Sequence, residues 1–114
     1  MREILFRGKR KDTKEWVYGS LISNNGNPYI VNNVIESNEE YISLEEWFPV
    51  KPETVGQYTG LKDKNKVKIF EGDIVLVDYN GIGFKNVYFF EGYFNIMRYS
   101  ISKLEVTGNI HDNK

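Results

Sequence analysis

Carboxylates are the residues of this chain best supplied for chemistry. Glu71 and Asp73 stand two apart and share a face wherever the chain is extended. Glu39-Glu40 and Glu45-Glu46 form a pair of acidic doublets nearby in sequence. Paired carboxylates can divide general-acid and general-base work. Neither group has a histidine beside it or a metal-ligand spacing, so solvated charge accounts for both. His111, the single histidine, lies close to the end of the sequence, where side chains are rarely held in place. The chain has no cysteine, which excludes disulfides, thiolate nucleophiles and cysteine–zinc sites. One histidine excludes a multi-histidine centre within one chain. The sequence therefore assigns no catalytic residue, no metal and no cofactor, and the expectation is a protein without enzymatic activity.

The motif Gly72-Asp73-Ile74-Val75 is the most suggestive local pattern. Turn chemistry explains every residue in it: a glycine for a tight turn, an aspartate accepting backbone N–H groups, then β-branched residues opening a strand. Plasmid-maintenance toxin ribonucleases built on small barrels also begin a strand with a run such as Ile74-Val75-Leu76-Val77-Asp78. They need a basic, proline-containing segment on the following loop, and residues 79–88 contain none, so a ribonuclease of this kind ranks third among the functional readings.

Net charge is only −1, with an isoelectric point near 5.9, so no global field favours nucleic acid or an anionic membrane. The charge is nevertheless grouped. Residues 1–20 carry six basic and three acidic side chains, residues 60–70 four lysines and one aspartate, and residues 36–53 six glutamates and one lysine. Blocks of opposite sign can neutralise one another within the fold or between subunits. Arg7, Lys9, Arg10 and Lys11, with Lys62, Lys64, Lys66 and Lys68, are the candidates for gripping phosphates, and Tyr18, Tyr58 or Phe70 could offer stacking faces. The acidic block opposes that reading, which ranks second. Aromatic crowding favours a protein partner: Phe84, Tyr88, Phe89, Phe90, Tyr93, Phe94 and Tyr99 fall in one short segment and occupy both strand faces. Residues that cannot all point inward seek another surface. Of these, Phe84, Phe89, Phe90, Tyr93 and Phe94 are the candidate interface, and a homo-oligomer is expected.

The elements that must position these residues are strands. The 114 residues are rich in aromatics, lack alanine and place most of their 10 glycines between short apolar runs. Residues 15–22 read as a strand, Asn25-Gly26 as a two-residue hairpin turn, and Tyr29-Ile30-Val31 as its partner, giving a hairpin over residues 15–35. Ser43-Leu44-Glu45-Glu46 has capping-box spacing and could open one helical turn before a strand at Trp47-Phe48. Residues 55–59, 68–70, 74–79, 86–90, 93–97 and 104–106 read as extended, with Asn80-Gly81 as a second hairpin turn. Short strands at this spacing suggest a small antiparallel barrel. The tail from His111 is expected to be mobile. No apolar run could cross a bilayer, and the opening residues lack the core of a signal peptide, so a cytoplasmic protein is expected.

Residues 52–65, Pro-Glu-Thr-Val-Gly-Gln-Tyr-Thr-Gly-Leu-Lys-Asp-Lys-Asn, followed by Lys68-Ile69-Phe70-Glu71-Gly72-Asp73-Ile74-Val75, strongly resemble the YopX family of phage and prophage proteins. The opening Arg2-Glu3-Ile4-Leu5-Phe6-Arg7 and the closing Leu104-Glu105-Val106-Thr107-Gly108-Asn109-Ile110 also look like that family's two ends. One departure is Lys66, where the family pattern has a glycine; the turn is then of another type or is carried by Asn65, which tolerates left-handed backbone. The resemblance implies an all-β protein with an SH3-like barrel, encoded in phages or prophages of Gram-positive bacteria, and no assigned reaction. The resulting expectation is an N-terminal β-hairpin subdomain over residues 1–54 and an SH3-like barrel over residues 55–114. Its work would be that of a phage accessory protein binding an unidentified phage or host protein.

Overall fold

The computed structural model describes residues 4–34 and 44–112. They divide into two compact units, Ile4–Val55 and the described part of Gly56–Lys114. Among the described residues every element is a β-strand or a short 3-10 turn. The all-β expectation holds.

The first unit holds four antiparallel strands: β1 (Phe6–Lys9), β2 (Trp16–Asn24), β3 (Asn27–Val34) and β4 (Leu44–Pro49), in the spatial order β4-β3-β2-β1. The β2–β3 hairpin turns at Asn25 (φ 54°) and Gly26 (φ 80°), the doubly left-handed pair that matches strand twist in a two-residue turn. β2 is shared along its length. Its first half pairs with β1, from Lys9↔Trp16 to Phe6↔Gly19, and its second half with β3, from Ser20↔Val31 to Asn24↔Asn27. Gly19 sits at the changeover, where a Cβ would lie 2.1 Å from the Val31 carbonyl oxygen. Only a residue without a side chain lets β3 approach that closely. Ile30, Val31 and Val50 are the buried apolar residues among those described in this unit. Leu44, Glu45 and Glu46 are extended in β4, not the helical turn that their spacing suggested; Ser43 lies outside the described residues. β4 faces β3 through a full ladder, and six backbone pairs outweigh one capping interaction.

The second unit contains β5 (Gly56–Lys62), β6 (Lys68–Phe70), β7 (Asp73–Asp78), β8 (Ile82–Asn86), β9 (Phe89–Phe90), β10 (Tyr93–Phe94) and β11 (Leu104–Asn109). Within it β5 pairs with β6, β9 with β10, and β7 lies between β11 and β8. The sheets are open antiparallel arrays, and no strand order among the described residues closes into the barrel expected from the family resemblance. β7 reads Asp-Ile-Val-Leu-Val-Asp, and its two faces differ. Val75 and Val77 are buried with Ile69, Val87, Phe94, Ile96 and Leu104, forming the core of the unit, while Ile74 and Leu76 turn to the other face. Residues 95–97, expected to extend the strand, form a 3-10 turn (Asn95–Arg98) that tucks Ile96 into that core.

Candidate functional site

Two aspartates lock the loops of the second unit. Asp73 is buried, and its Oδ2 accepts the Phe70 N–H at 2.7 Å across a turn in which Gly72 takes φ 93°. That backbone region suits glycine and strains other residues. Asp63, also buried, does more. Its Oδ1 accepts the N–H groups of Asn65 (2.8 Å) and Val67 (2.9 Å), and its Oδ2 that of Val106 (2.9 Å), 43 residues away. The Lys64 N–H adds a bond to the Leu104 carbonyl at 3.0 Å. This carboxylate therefore folds its own loop and fastens it along the outer edge of β11. Lys66 itself takes the left-handed conformation (φ 67°), so neither a different turn type nor Asn65 replaces the glycine of the family pattern. Asp73 is spent on backbone, Glu46 is exposed, and Glu39 and Glu40 lie outside the described residues. No group of three or more metal-ligating side chains occurs among the described residues. His111 is buried rather than loose: its N–H donates to Asn109 Oδ1 at 2.8 Å, while Asp112 holds the Asn109 side chain.

The basic candidates fall in both units. Arg7 and Lys9 are buried in β1; the Arg7 guanidinium lies 4.4 Å from the Trp16 ring centre, and Lys9 Nζ lies 5.4 Å from it. These are cation–π contacts, which let charged side chains cover an aromatic ring. Arg10 stacks on Phe48 at 4.7 Å and grips Asp12 with two hydrogen bonds of 2.9 and 2.7 Å. That fork holds the Asp12 carboxyl below its ordinary range and raises Arg10, each chiefly through their mutual hydrogen bond. Lys11 is exposed. In the second unit Lys62 and Lys68 face one another as register partners, Lys68 Nζ lies 5.4 Å over the Tyr58 ring, Lys64 pairs with Glu105 at 3.2 Å, and Lys66 is exposed.

The aromatic candidates are mostly exposed. Every residue of β8 is exposed, Ile82 at 72% and Phe84 at 68%. Tyr88, Phe89, Phe90 and Tyr93 are each more than half exposed on the β9–β10 hairpin and its approach. Glu91 (φ 51°) and Gly92 (φ 92°) make its tight turn. Phe94 differs from its neighbours: it is buried in the core and meets the Phe89 ring edge-on at 5.1 Å. Alternation puts Tyr93 and Phe94 on opposite faces of β10, and Phe94 takes the face that meets the core. A cleft of about 280 Å³ is lined by Tyr88, Phe90, Tyr93, Asn95 and Arg98. Asn95, which no sequence pattern singled out, builds this corner. Its Oδ1 accepts the Tyr88 N–H (2.9 Å), its Nδ2 donates to the Asn86 carbonyl (2.8 Å), and its own N–H donates to the Tyr88 carbonyl (3.0 Å).

Aspartate-locked loops, short open sheets and an exposed aromatic ridge define a small all-β protein. No described helix is long and apolar enough to cross a membrane. The chain belongs to the YopX protein family, whose pattern matches residues 5–114. Among solved structures it is similar to protein EF1440 from Enterococcus faecalis, with a TM-score of 0.64 and 23% identity, covering 99% of this chain and 96% of that one. At that identity the likeness concerns the fold. No curated protein matches the chain.

Proposed function

We propose that the protein is a non-enzymatic β module that binds protein surfaces and self-associates, serving a phage or prophage as an accessory protein in the bacterial cytoplasm. The observation that carries this reading is the exposed ridge from Ile82 to Tyr93, in which Ile82, Phe84, Tyr88, Phe89, Phe90 and Tyr93 are each more than half exposed. Large apolar side chains gathered in one stretch are the composition of an interface core, where aromatics are enriched and charges depleted. Family membership supports the phage setting. The nucleic-acid alternative draws less support, because Arg7 and Lys9 are buried and Arg10 and Lys64 are already paired with carboxylates. Sedimentation equilibrium tests the reading: mass rising with concentration above 13.4 kDa supports it, and a single 13.4 kDa species at high micromolar concentration refutes it.

A further inference from the structure

The sheet β11-β7-β8 has two edges, and they are treated differently. The β11 edge is covered by the Asp63 loop, through Asp63 Oδ2 on Val106 and the Lys64 N–H on Leu104. The β8 edge is covered only at one end. Which of its backbone groups remain open follows from the ladder. Val87 donates its N–H to the Asp73 carbonyl at 2.8 Å, and the register runs Ile74↔Asn86 to Asp78↔Ile82. Hydrogen-bonded and non-bonded pairs alternate along antiparallel strands. Gly83 and Lys85 therefore spend their N–H and C=O groups on β7, and Ile82, Phe84 and Asn86 turn theirs outward. The Asn95 side chain confirms the parity independently, since it bonds the outward Asn86 carbonyl and the Tyr88 N–H. What stays uncovered, among the described residues, is the outward edge at Ile82 and Phe84.

An edge strand with free donors and acceptors is a template for another strand. We propose that two copies of this chain pair antiparallel through β8 about a two-fold axis at Gly83. This rests on the self-association proposed above and names its geometry. In this register Ile82 exchanges both backbone hydrogen bonds with the partner's Phe84, and Phe84 with the partner's Ile82, using the groups that Asn95 leaves free. The two side chains then stand directly opposite, a β-branched residue against an aromatic, a favoured cross-strand pair. They share the sheet face of Leu76 and Ile74, so the apolar face of β7 continues across the axis. Gly83 meets the partner's Gly83 with no Cβ between the strands. Lys85, the strand's one charged residue, opposes the partner's Gly81, so no like charges meet. A second copy satisfies the edge in sequence, charge and hydrogen bonding together. The contact is short, so the dimer belongs with small, weak interfaces, with Kd on the order of 100 μM.

Sedimentation equilibrium of the full chain from about 20 μM to about 1 mM, read beside amide chemical shifts over the same range, tests the pairing. Wild type is expected to dimerise, with concentration-dependent shifts at Ile82 and Phe84. Ile82→Pro removes an outward N–H that β7 does not use, a position where an edge strand accepts proline, and should weaken the dimer at least about tenfold. Gly83→Glu has nothing within 4 Å of the new Cβ, so the monomer accommodates it. It brings two carboxylates together on the axis and should also weaken the dimer at least about tenfold. In a register shifted by two residues, with the axis at Phe84, Gly83 would oppose the partner's Lys85, and Gly83→Glu would tighten the dimer; that result overturns the proposed axis. Association unaffected by either variant overturns edge pairing while self-association through the aromatic ridge stands. A monomer at about 1 mM overturns both.

Discussion

Removing the Asp63 carboxylate tests whether one side chain holds a connection between residues 43 positions apart in the second unit. Asp63→Ala leaves the N–H groups of Asn65, Val67 and Val106 without their acceptor. A buried donor deprived of its partner costs about 1–3 kcal/mol. Asn65 and Val67 are exposed residues whose amides water can reach, so each is set at the lower end, and Val106, half-buried, somewhat higher. The sum is about 3–4 kcal/mol. At roughly 4 °C of melting temperature per kcal/mol for a chain of this size, the variant should melt at least about 10 °C below wild type. Asp63→Asn separates the loop from the tether. Its single oxygen can still accept from Asn65 and Val67, but the amide group then turns an N–H toward the Val106 N–H. Asp63→Asn should therefore lose about half as much stability, with the Val106 amide exchanging with solvent much faster. Thermal denaturation followed by circular dichroism, with hydrogen exchange at Val106, gives both readouts. An Asp63→Ala variant melting within about 2 °C of wild type would refute the reasoning, because it would put the loss of all three hydrogen bonds at roughly 0.5 kcal/mol.

Lys66 holds φ 67°, so Lys66→Gly should relieve left-handed strain and raise stability by about 0.5–1 kcal/mol, visible as a higher melting temperature. Gly19→Ala places a Cβ 2.1 Å from the Val31 carbonyl oxygen and should cost about 2 kcal/mol or more, measured by urea denaturation. Asp12→Asn should lower the melting temperature by about 1 °C or less at neutral pH, because the pair is exposed. The Asp12 carboxyl is depressed by Arg10, so its contribution is present above the usual carboxylate range and lost as pH falls through the lowered value. The difference between wild type and Asp12→Asn should therefore vanish in strong acid.

Most strands were legible where turn chemistry bounded them. Asn25-Gly26 placed the β2–β3 hairpin, and residues 68–70 read as β6 from three apolar or β-compatible positions between turns. β1 was not legible, because half of its residues are basic. Arg7 and Lys9 look like a solvated block in any hydropathy reading, yet both are buried beside the Trp16 ring. Nothing in the spacing of charges announces that an indole will lie beneath them. The helical turn at residues 43–46 failed for a related reason: a capping box is a local preference, and the ladder with β3 is formed with residues ten or more positions earlier.

The candidate site was legible in composition and illegible in geometry. Seven aromatics between residues 84 and 99 announce an excess over one small core, and five of them do stand more than half exposed. Which ones do so depends on single-residue register. Phe94 goes inward because β10 is two residues long and the following 3-10 turn carries Ile96 into the core. The covered and open ends of the β8 edge are set by Asn95, a polar residue in an apolar run with no motif to mark it. Its amide satisfies one backbone donor and one backbone acceptor at once, as a neighbouring strand would. The aromatic excess thus tells that the protein has a surface to cover, and one asparagine side chain decides how much of the adjoining backbone edge remains for a partner to use.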